Sequence, residues 1–583
     1  MRMLLIGGLG HMDLSGKVPR PGLLMLRQAL RKAGHEGVVE NYAAPLTPRL
    51  FPPALVGELR AIYQRSLKPL VIEGASPWQQ LKMFFRLRRD MTALPRLTEE
   101  LAAVEKNAYE EIGQELARRV QAEKFDAVGF SLYLGSSTSG SIAIANRLRR
   151  ENPNLPIIFG GPQTTHFAET IYRETTAPTA LVIGEGELSL VELAGIIDQL
   201  KTGELTQLHN IPNLVFRTAE GQVIATPRKR LPLNQWIELS RAPYEEQDFL
   251  GVMKYAFIEA SRGCFYQCHF CSQPLLSGTQ RYVKPAKEIV DEMEALYQRF
   301  GIVSFELVGS STPPHQAKEI ADEIIGRNLA GKFHWVLFMR GKDERQNSAP
   351  LSIIMKRMKL AGAAAVFFGV EAADDATLNR MGKKAGLDDI KAAMLAAKNA
   401  GMATIGSFIY PYPGMPENEG DLILRFLQEV QPLSAPVQAL GLYPGTYDAN
   451  HAADLGCEIV YPDKKDQALF LAGRKSAPTM QSPEVLQYLL KYPLILSLPM
   501  RFWPPLPYKI DGKNYAEYVK AVNNLQRRIT KLGIISGFSH SHYLLSQVLG
   551  LSPHEFAERL FYCSLTGDPA ETERIIAQFN SRI

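Results

Sequence analysis

Three of the five cysteines in this 583-residue chain stand within eight positions, in GCFYQCHFCSQP at 263–274. Thiolates gathered this closely are natural ligands for zinc or for an iron–sulfur cluster. Cys264, Cys268 and Cys271 make three ligands with no second cysteine pair, whereas a closed structural zinc site asks for four protein ligands. His269 is a poor fourth ligand, because the neighbour of Cys268 struggles to turn toward the same metal. The leftover valence is the informative feature. A 4Fe–4S cluster on three cysteines leaves one iron open to a non-protein ligand, and catalysis requires an open metal position. Cys457 and Cys563 stand alone and read as small buried hydrophobes.

The elements that must position these thiols come from the alternation of the chain. Apolar runs at 2–6, 37–41, 126–131, 156–160 and 179–184 alternate with helical stretches such as GLLMLRQALRKAG. Strict alternation with strands apolar throughout predicts a doubly wound, Rossmann-like parallel sheet over 1–200. A helical insertion at about 43–120 interrupts it and contains the basic amphipathic segment WQQLKMFFRLRRDM. Residues 201–250 read as a connector with a β-hairpin, NLVFRTAEGQVIATP, turning at Glu220 and Gly221. Six further strands at 255–260, 303–308, 333–339, 365–370, 403–410 and 437–443 predict a partial (β/α)6 barrel over 251–455. Its helices carry one apolar face each, as with Ile289, Met293, Leu296, Tyr297 and Phe300. From 456 to 583 the pattern is mainly helical, and this region is expected to cap the barrel. Both sheet types place function at the carboxyl ends of their strands, and the cysteines directly follow the first barrel strand.

Composition bounds the partners. At 46% hydrophobic and 21% charged the chain is globular, with a length suited to about two to four domains. Five cysteines and no signal sequence at the amino end point to a reducing, cytoplasmic setting rather than a disulfide scaffold. A net charge of +5 and a pI near 8.7 fall short of the basic stripe of a nucleic-acid binder and suit anionic small molecules. No stretch reaches the roughly 20 apolar residues of a membrane span. The nearest, at 492–508, is broken by prolines and Arg501.

The cysteine loop resembles the signature of the radical S-adenosylmethionine (SAM) enzymes, C-x3-C-x2-C after the first strand of a partial barrel. Here it reads Cys264-Phe-Tyr-Gln-Cys268-His-Phe-Cys271, with the aromatic Phe270 before the last cysteine. The resemblance implies a 4Fe–4S cluster whose open iron chelates SAM, one-electron cleavage to a 5′-deoxyadenosyl radical, and an external flavodoxin- or ferredoxin-type reductant. FFGVEAADDATLNRMGKK (367–384) is similar to the family element after the fourth strand, which makes Gly369 and Glu371 nucleoside contacts. Arg340, ending the third strand, becomes a contact for the SAM carboxylate. Where many members carry Gly-Gly-Glu for the SAM amino group, this chain has Gly309-Ser310-Ser311, which departs from that pattern but leaves Gly309 and Ser310 as the cofactor contacts the resemblance implies there.

The amino-terminal segments VGFSLYLGSSTSG (128–140), PIIFGGPQTTH (156–166) and VIGEGELSL (182–190) together resemble the cobalamin-binding domain of the cobalamin-dependent radical SAM subfamily. YPGT at 443–446 belongs to the same resemblance, which covers about residues 1–450. It implies cobalamin contacts at Ser131, Ser136, Ser137, Gly160, Gly161, Gly184 and Glu185. Two glycines at 160–161 let backbone lie flat against a large planar ligand, and the serine loop offers donors to a nucleotide tail. The D-x-H-x-x-G element of histidine-ligated cobalamin is broken at Leu9 before His11, so no histidine is expected on cobalt. The implied activity is methylation of an unactivated carbon or phosphorus centre in a small molecule, through methylcobalamin. A non-methylating oxidative cyclase or rearrangement enzyme stays open, as does an iron–sulfur electron-transfer or zinc-stabilised binding protein. The aromatics Tyr488, Tyr492, Phe502, Trp503 and Tyr508 line a substrate pocket or pack a core; composition does not separate the two.

Overall fold

The computed structural model describes residues 1–7, 20–42, 49, 53–62, most of 100–133, 136–459 with short gaps, 508–510 and 515–582 with short gaps. WQQLKMFFRLRRDM, Leu9 and His11, and Tyr488, Tyr492, Phe502 and Trp503 lie outside the described residues, as does the side chain of Tyr508.

The first sheet has strands β1 (Arg2–Gly7), β2 (Glu36–Asn41), β3 (Ala127–Ser131), β4 (Ile157–Gly160), β5 (Ala180–Val182), β6 (Leu214–Arg217) and β7 (Val223–Ala225), in spatial order β2-β1-β3-β4-β5-β6-β7. From β2 to β5 every pairing is parallel. These strands are apolar along their length because helices cover both faces. Leu4, Ile6 and Phe130 pack on one side with Ile144 and Leu148; Met3, Leu5 and Val182 pack on the other with Leu190 and Leu193. The chain leaves β1 toward β2 on one side and later resumes at β3 on the other. This topological switch opens a crevice at the carboxyl ends of β1 and β3, the usual ligand site of an open α/β sheet. The expected hairpin forms, with Arg217 opposite Val223. It also pairs antiparallel onto β5, so the connector extends the sheet into a mixed one. Local turn chemistry announces a hairpin, yet nothing local says which sheet edge it joins.

The second sheet consists of β8 (Ala256–Glu259), β11 (Ser304–Val308), β12 (His334–Met339), β13 (Ala363–Glu371), β14 (Ala403–Ile409) and β15 (Val437–Gln438), all parallel and in sequence order. This is the six-stranded partial barrel read from the alternation. Its outer face packs Phe305, Trp335 and Phe368 against Ile289, Met293 and Leu296, with Tyr297 and Phe300 at the margin. The inner face carries Tyr255, Val336, Ala365 and Ile405, which bury against Leu544, Leu545, Leu549 and Phe556 of the carboxyl-terminal helices His540–Leu549 and Pro553–Thr566. A barrel of six strands leaves its lumen unsealed, and these helices fill it. Glu306 on the inner face accepts bonds from the Tyr255 hydroxyl at 2.9 Å and the Ser541 hydroxyl at 2.7 Å, which pins the first of these helices inside.

Candidate functional site

Between β8 and the cysteines, β9 (Ser261–Arg262) pairs antiparallel with β10 (Tyr282–Val283), so the thiol loop hangs from a short two-stranded bracket. Gly263 starts the loop at φ +78°, and a Cβ there would strike the Gln280 carbonyl, so only glycine fits. The Cys264 amide donates to the Gly278 carbonyl at 3.1 Å and the Cys271 amide to the Cys268 carbonyl at 3.0 Å. Burial pushes the Cys264 thiol up and carries Cys271 up to about 12. Thiols in such a setting deprotonate when a metal replaces the lost solvation. His269 stacks on Tyr447 at 3.9 Å between ring centroids, and Phe270 packs against the outer barrel core.

Around this loop stand the ends of the other strands. Arg340, 8% exposed, lies 3.6 Å over the Tyr266 ring and reaches the Cys268 sulfur at 3.4 Å. Its Nε and Nη2 atoms are buried with no partner. A buried guanidinium with two spare donors beside the thiols fits the carboxylate of a ligand on the open iron. At the end of β13 the register shifts between Gly369 and Glu371, and Glu371 takes φ +73°. A Cβ on Gly369 would strike the Glu371 carboxylate. Lys383, 5% exposed, donates to the Gly369 carbonyl and lies 3.4 Å from Glu371 Oε1. Gly309, at φ +140°, leaves no room for a side chain against the Ser261 carbonyl, and Ser310 Oγ lies 3.4 Å from Ser261 Oγ. The motif that departs from the family pattern thus abuts the bracket itself.

The second half of the site is the carboxyl edge of the first sheet. The Leu132 amide, next after Ser131, donates to the Gly160 carbonyl at 2.7 Å. Gly160 has only ordinary contacts at its Cβ position, while Gly161 adopts φ +99° tight against Leu132. Ser136 and Ser137 open the helix Ser136–Glu151, with side chains outside the described residues. The Gly184 amide donates to Thr165 Oγ1 at 2.9 Å, and Arg228 occupies the space of its missing Cβ. Glu185 is committed to neighbouring groups. It accepts from the Leu231 amide at 2.8 Å and Arg230 Nε at 3.2 Å and lies 3.9 Å from Arg262. Burial raises its pKa against the pull of Arg262.

Beyond the glycines of PIIFGGPQTTH, the structure singles out its polar residues. Gln163 is fully buried with both amide atoms unpartnered, Thr164 Oγ1 is unpartnered, and His166 has a bare Nε2. Such a row of orphans is costly unless a ligand meets it. It follows Gly160-Gly161 at the sheet's carboxyl edge, and amides and hydroxyls there suit the amide-fringed ring of cobalamin. The signal available in the sequence was three polar residues in the first turn of a helix that starts at a strand end.

The two edges face each other. His166 Nδ1 lies 3.3 Å from the Pro444 carbonyl in YPGT, its ring is 5.7 Å from Tyr443, and Arg228 donates to the Leu275 carbonyl just beyond Cys271 at 2.5 Å. Arg262, one residue before the thiol loop and 8% exposed, grips Glu259 in two bonds of 2.9 Å and Glu187 of the first domain at 2.8 Å.

Two family models match, the radical SAM superfamily over residues 258–427 and the B12 binding domain over 100–194. The chain is an enzyme that carries a radical SAM domain and a B12-binding domain. The matched domains are named for S-adenosylmethionine and cobalamin, and the three-cysteine loop lies inside the first of them. It is 26% identical over 339 residues to an uncharacterized methyltransferase of Pyrococcus horikoshii, covering 57% of this chain and 70% of that one. It is 27% identical over 277 residues to the anaerobic magnesium-protoporphyrin IX monomethyl ester cyclase of Rubrivivax gelatinosus, covering 44% and 46%. The fold matches that of TsrM from Kitasatospora setae, a radical SAM methyltransferase solved with cobalamin and a [4Fe-4S] cluster, at a TM-score of 0.61. That match is 15% identical and covers 96% of this chain and 99% of TsrM. Among the described residues no helix of this enzyme is long and apolar enough to cross a membrane.

Proposed function

We propose that this enzyme transfers a methyl group to an unactivated carbon or phosphorus centre of a small molecule held between its two domains. The observation that carries the reading is the apposition of the two carboxyl edges, with His166 against Pro444 and Arg228 against Leu275. When bound, the cluster and SAM supply a hydrogen-abstracting 5′-deoxyadenosyl radical and cobalamin supplies the methyl group. The chain supplies the placement. Cys264, Cys268 and Cys271 hold the cluster. Arg340 holds the SAM carboxylate with its spare donors, and Tyr266 keeps the guanidinium flat. Lys383 fixes the Gly369–Glu371 bulge so that the Glu371 carboxylate meets the nucleoside. Gly160, Gly161, Gln163 and Thr164 form the cobalamin floor. The names of the Pyrococcus and Kitasatospora relatives favour methyl transfer, and the Rubrivivax cyclase supports the non-methylating alternative. The deciding experiment uses methyl-deuterated SAM. Methyl transfer delivers the label to product with 5′-deoxyadenosine and S-adenosylhomocysteine in about equal amounts. Product formed with 5′-deoxyadenosine but without label or S-adenosylhomocysteine makes the enzyme a cyclase or rearrangement catalyst.

A further inference from the structure

Three rings stack face to face beside the thiol loop. His269, the residue after Cys268, lies 3.9 Å from Tyr447 at an interplanar angle of 25°. Tyr447 in turn lies 4.0 Å from His451 at 18°. Edge-on or offset geometries at wider spacing are the ordinary preference of ring pairs, so this column is held by its surroundings. Gly382, at φ +65°, makes room for it, since a Cβ there would stand 2.7 Å from the His269 ring. Two backbone bonds clamp His269 between separate segments, its amide to the Met381 carbonyl at 2.8 Å and its carbonyl to the Asp448 amide at 3.1 Å. Tyr447 is 48% exposed. The column therefore runs from the neighbour of a cluster ligand out to the surface.

Within the three segments that carry the column the exposed charge has one sign. Among these segments, 263–272, 380–384 and 443–451, the exposed charged side chains are Arg380 and Lys384. Lys383 is buried on Gly369, and the single carboxylate, Asp448, is fully buried with both oxygens 3.0 Å from the Tyr412 hydroxyl. A small aromatic platform with a cationic rim suits the brief, limited-area encounters by which electron carriers meet their acceptors.

We propose that this patch is the docking surface for an acidic one-electron carrier of flavodoxin or ferredoxin type, and that His269 and Tyr447 form the short path from carrier to cluster. The proposal rests on the three cysteines holding a 4Fe–4S cluster. One electron leaves the reduced carrier and lowers the cluster from its 2+ to its 1+ state; no bond in the protein forms or breaks.

The test follows bleaching of the cluster's visible absorption in the anaerobic holoprotein, with no substrate present, using reduced flavodoxin in one arm and dithionite in the other. Lys384→Glu and Tyr447→Ala should each slow the flavodoxin arm by about tenfold while dithionite bleaches all variants at the wild-type rate. Tyr447→Phe, which keeps the stack, should behave as wild type. Added salt should slow flavodoxin reduction of the wild type and affect Lys384→Glu much less. Unchanged flavodoxin rates in Lys384→Glu and Tyr447→Ala would overturn the proposal. So would equal slowing in both arms for Tyr447→Ala with Lys384→Glu unaffected, which would make the stack mere packing for the loop. Iron and sulfide content, measured first, separates this failure from a failure of the cluster itself.

Discussion

On the proposed function Cys264, Cys268 and Cys271 each supply one thiolate to a single cluster, so replacing any one with alanine should cost the whole chromophore and all cleavage of SAM. Cys457→Ala and Cys563→Ala should cost neither, since both thiols are buried in apolar cores. Visible absorption and 5′-deoxyadenosine yield check both statements. Arg340→Ala should weaken SAM binding with the cluster intact, and Arg340→Lys should rescue it only partly, because an ammonium lacks the planar fork that spans Tyr266 and a carboxylate. Calorimetric SAM affinity decides this. At this scale the sequence was legible where residue type and spacing are themselves the chemistry, as with the thiols. It was illegible for Gln163, Thr164 and Lys383, whose significance lies in being buried beside a strand end, a fact no spacing carries.

Among the elements, the strands were legible because a sheet covered on both faces imposes apolar runs on β1 and β3. The destination of the β6–β7 hairpin was not, and the cap expected of the carboxyl-terminal helices was legible without its manner, burial inside the lumen, since both depend on long-range partners. Leu545→Ala, which opens a cavity against Ala365 and Ile405, should destabilise the barrel by about 2–5 kcal/mol in denaturant melts. The helix Glu419–Val430 begins with a buried carboxylate that accepts from the Ala373 amide at 2.7 Å. Burial, opposed by that bond and assisted by Asp374, raises Glu419 from 4.5 to about 8. The folded protein thus binds a proton that the unfolded chain has released. Its stabilising effect is complete below pH 4.5 and is lost as pH rises through about 8. Glu419→Gln should flatten the fall in stability across that window, measured as denaturation midpoint against pH. An unchanged slope would show that another group carries it.

In the whole molecule, the two carboxyl edges belong to one chain and are locked together by Arg262, while Arg27 is fully buried on Asp248 of the connector at 2.6 Å. Removing one partner of a buried ion pair costs about 3–5 kcal/mol, so Arg262→Ala should lower the melting temperature and loosen the seating of the first domain on the thiol loop. The alternation of strands and helices was readable; the lock was not, because Glu187 stands 75 residues before Arg262. The central claim is that the cluster and cobalamin face the same cavity. Pulsed electron paramagnetic resonance on the holoprotein, with the cluster reduced and cobalamin in its cob(II)alamin form, tests this without a substrate. The apposed edges require a clear dipolar interaction between the two paramagnets, diminished in Arg262→Ala. Two fully loaded centres that relax independently, with no dipolar interaction in the wild type, would contradict the account.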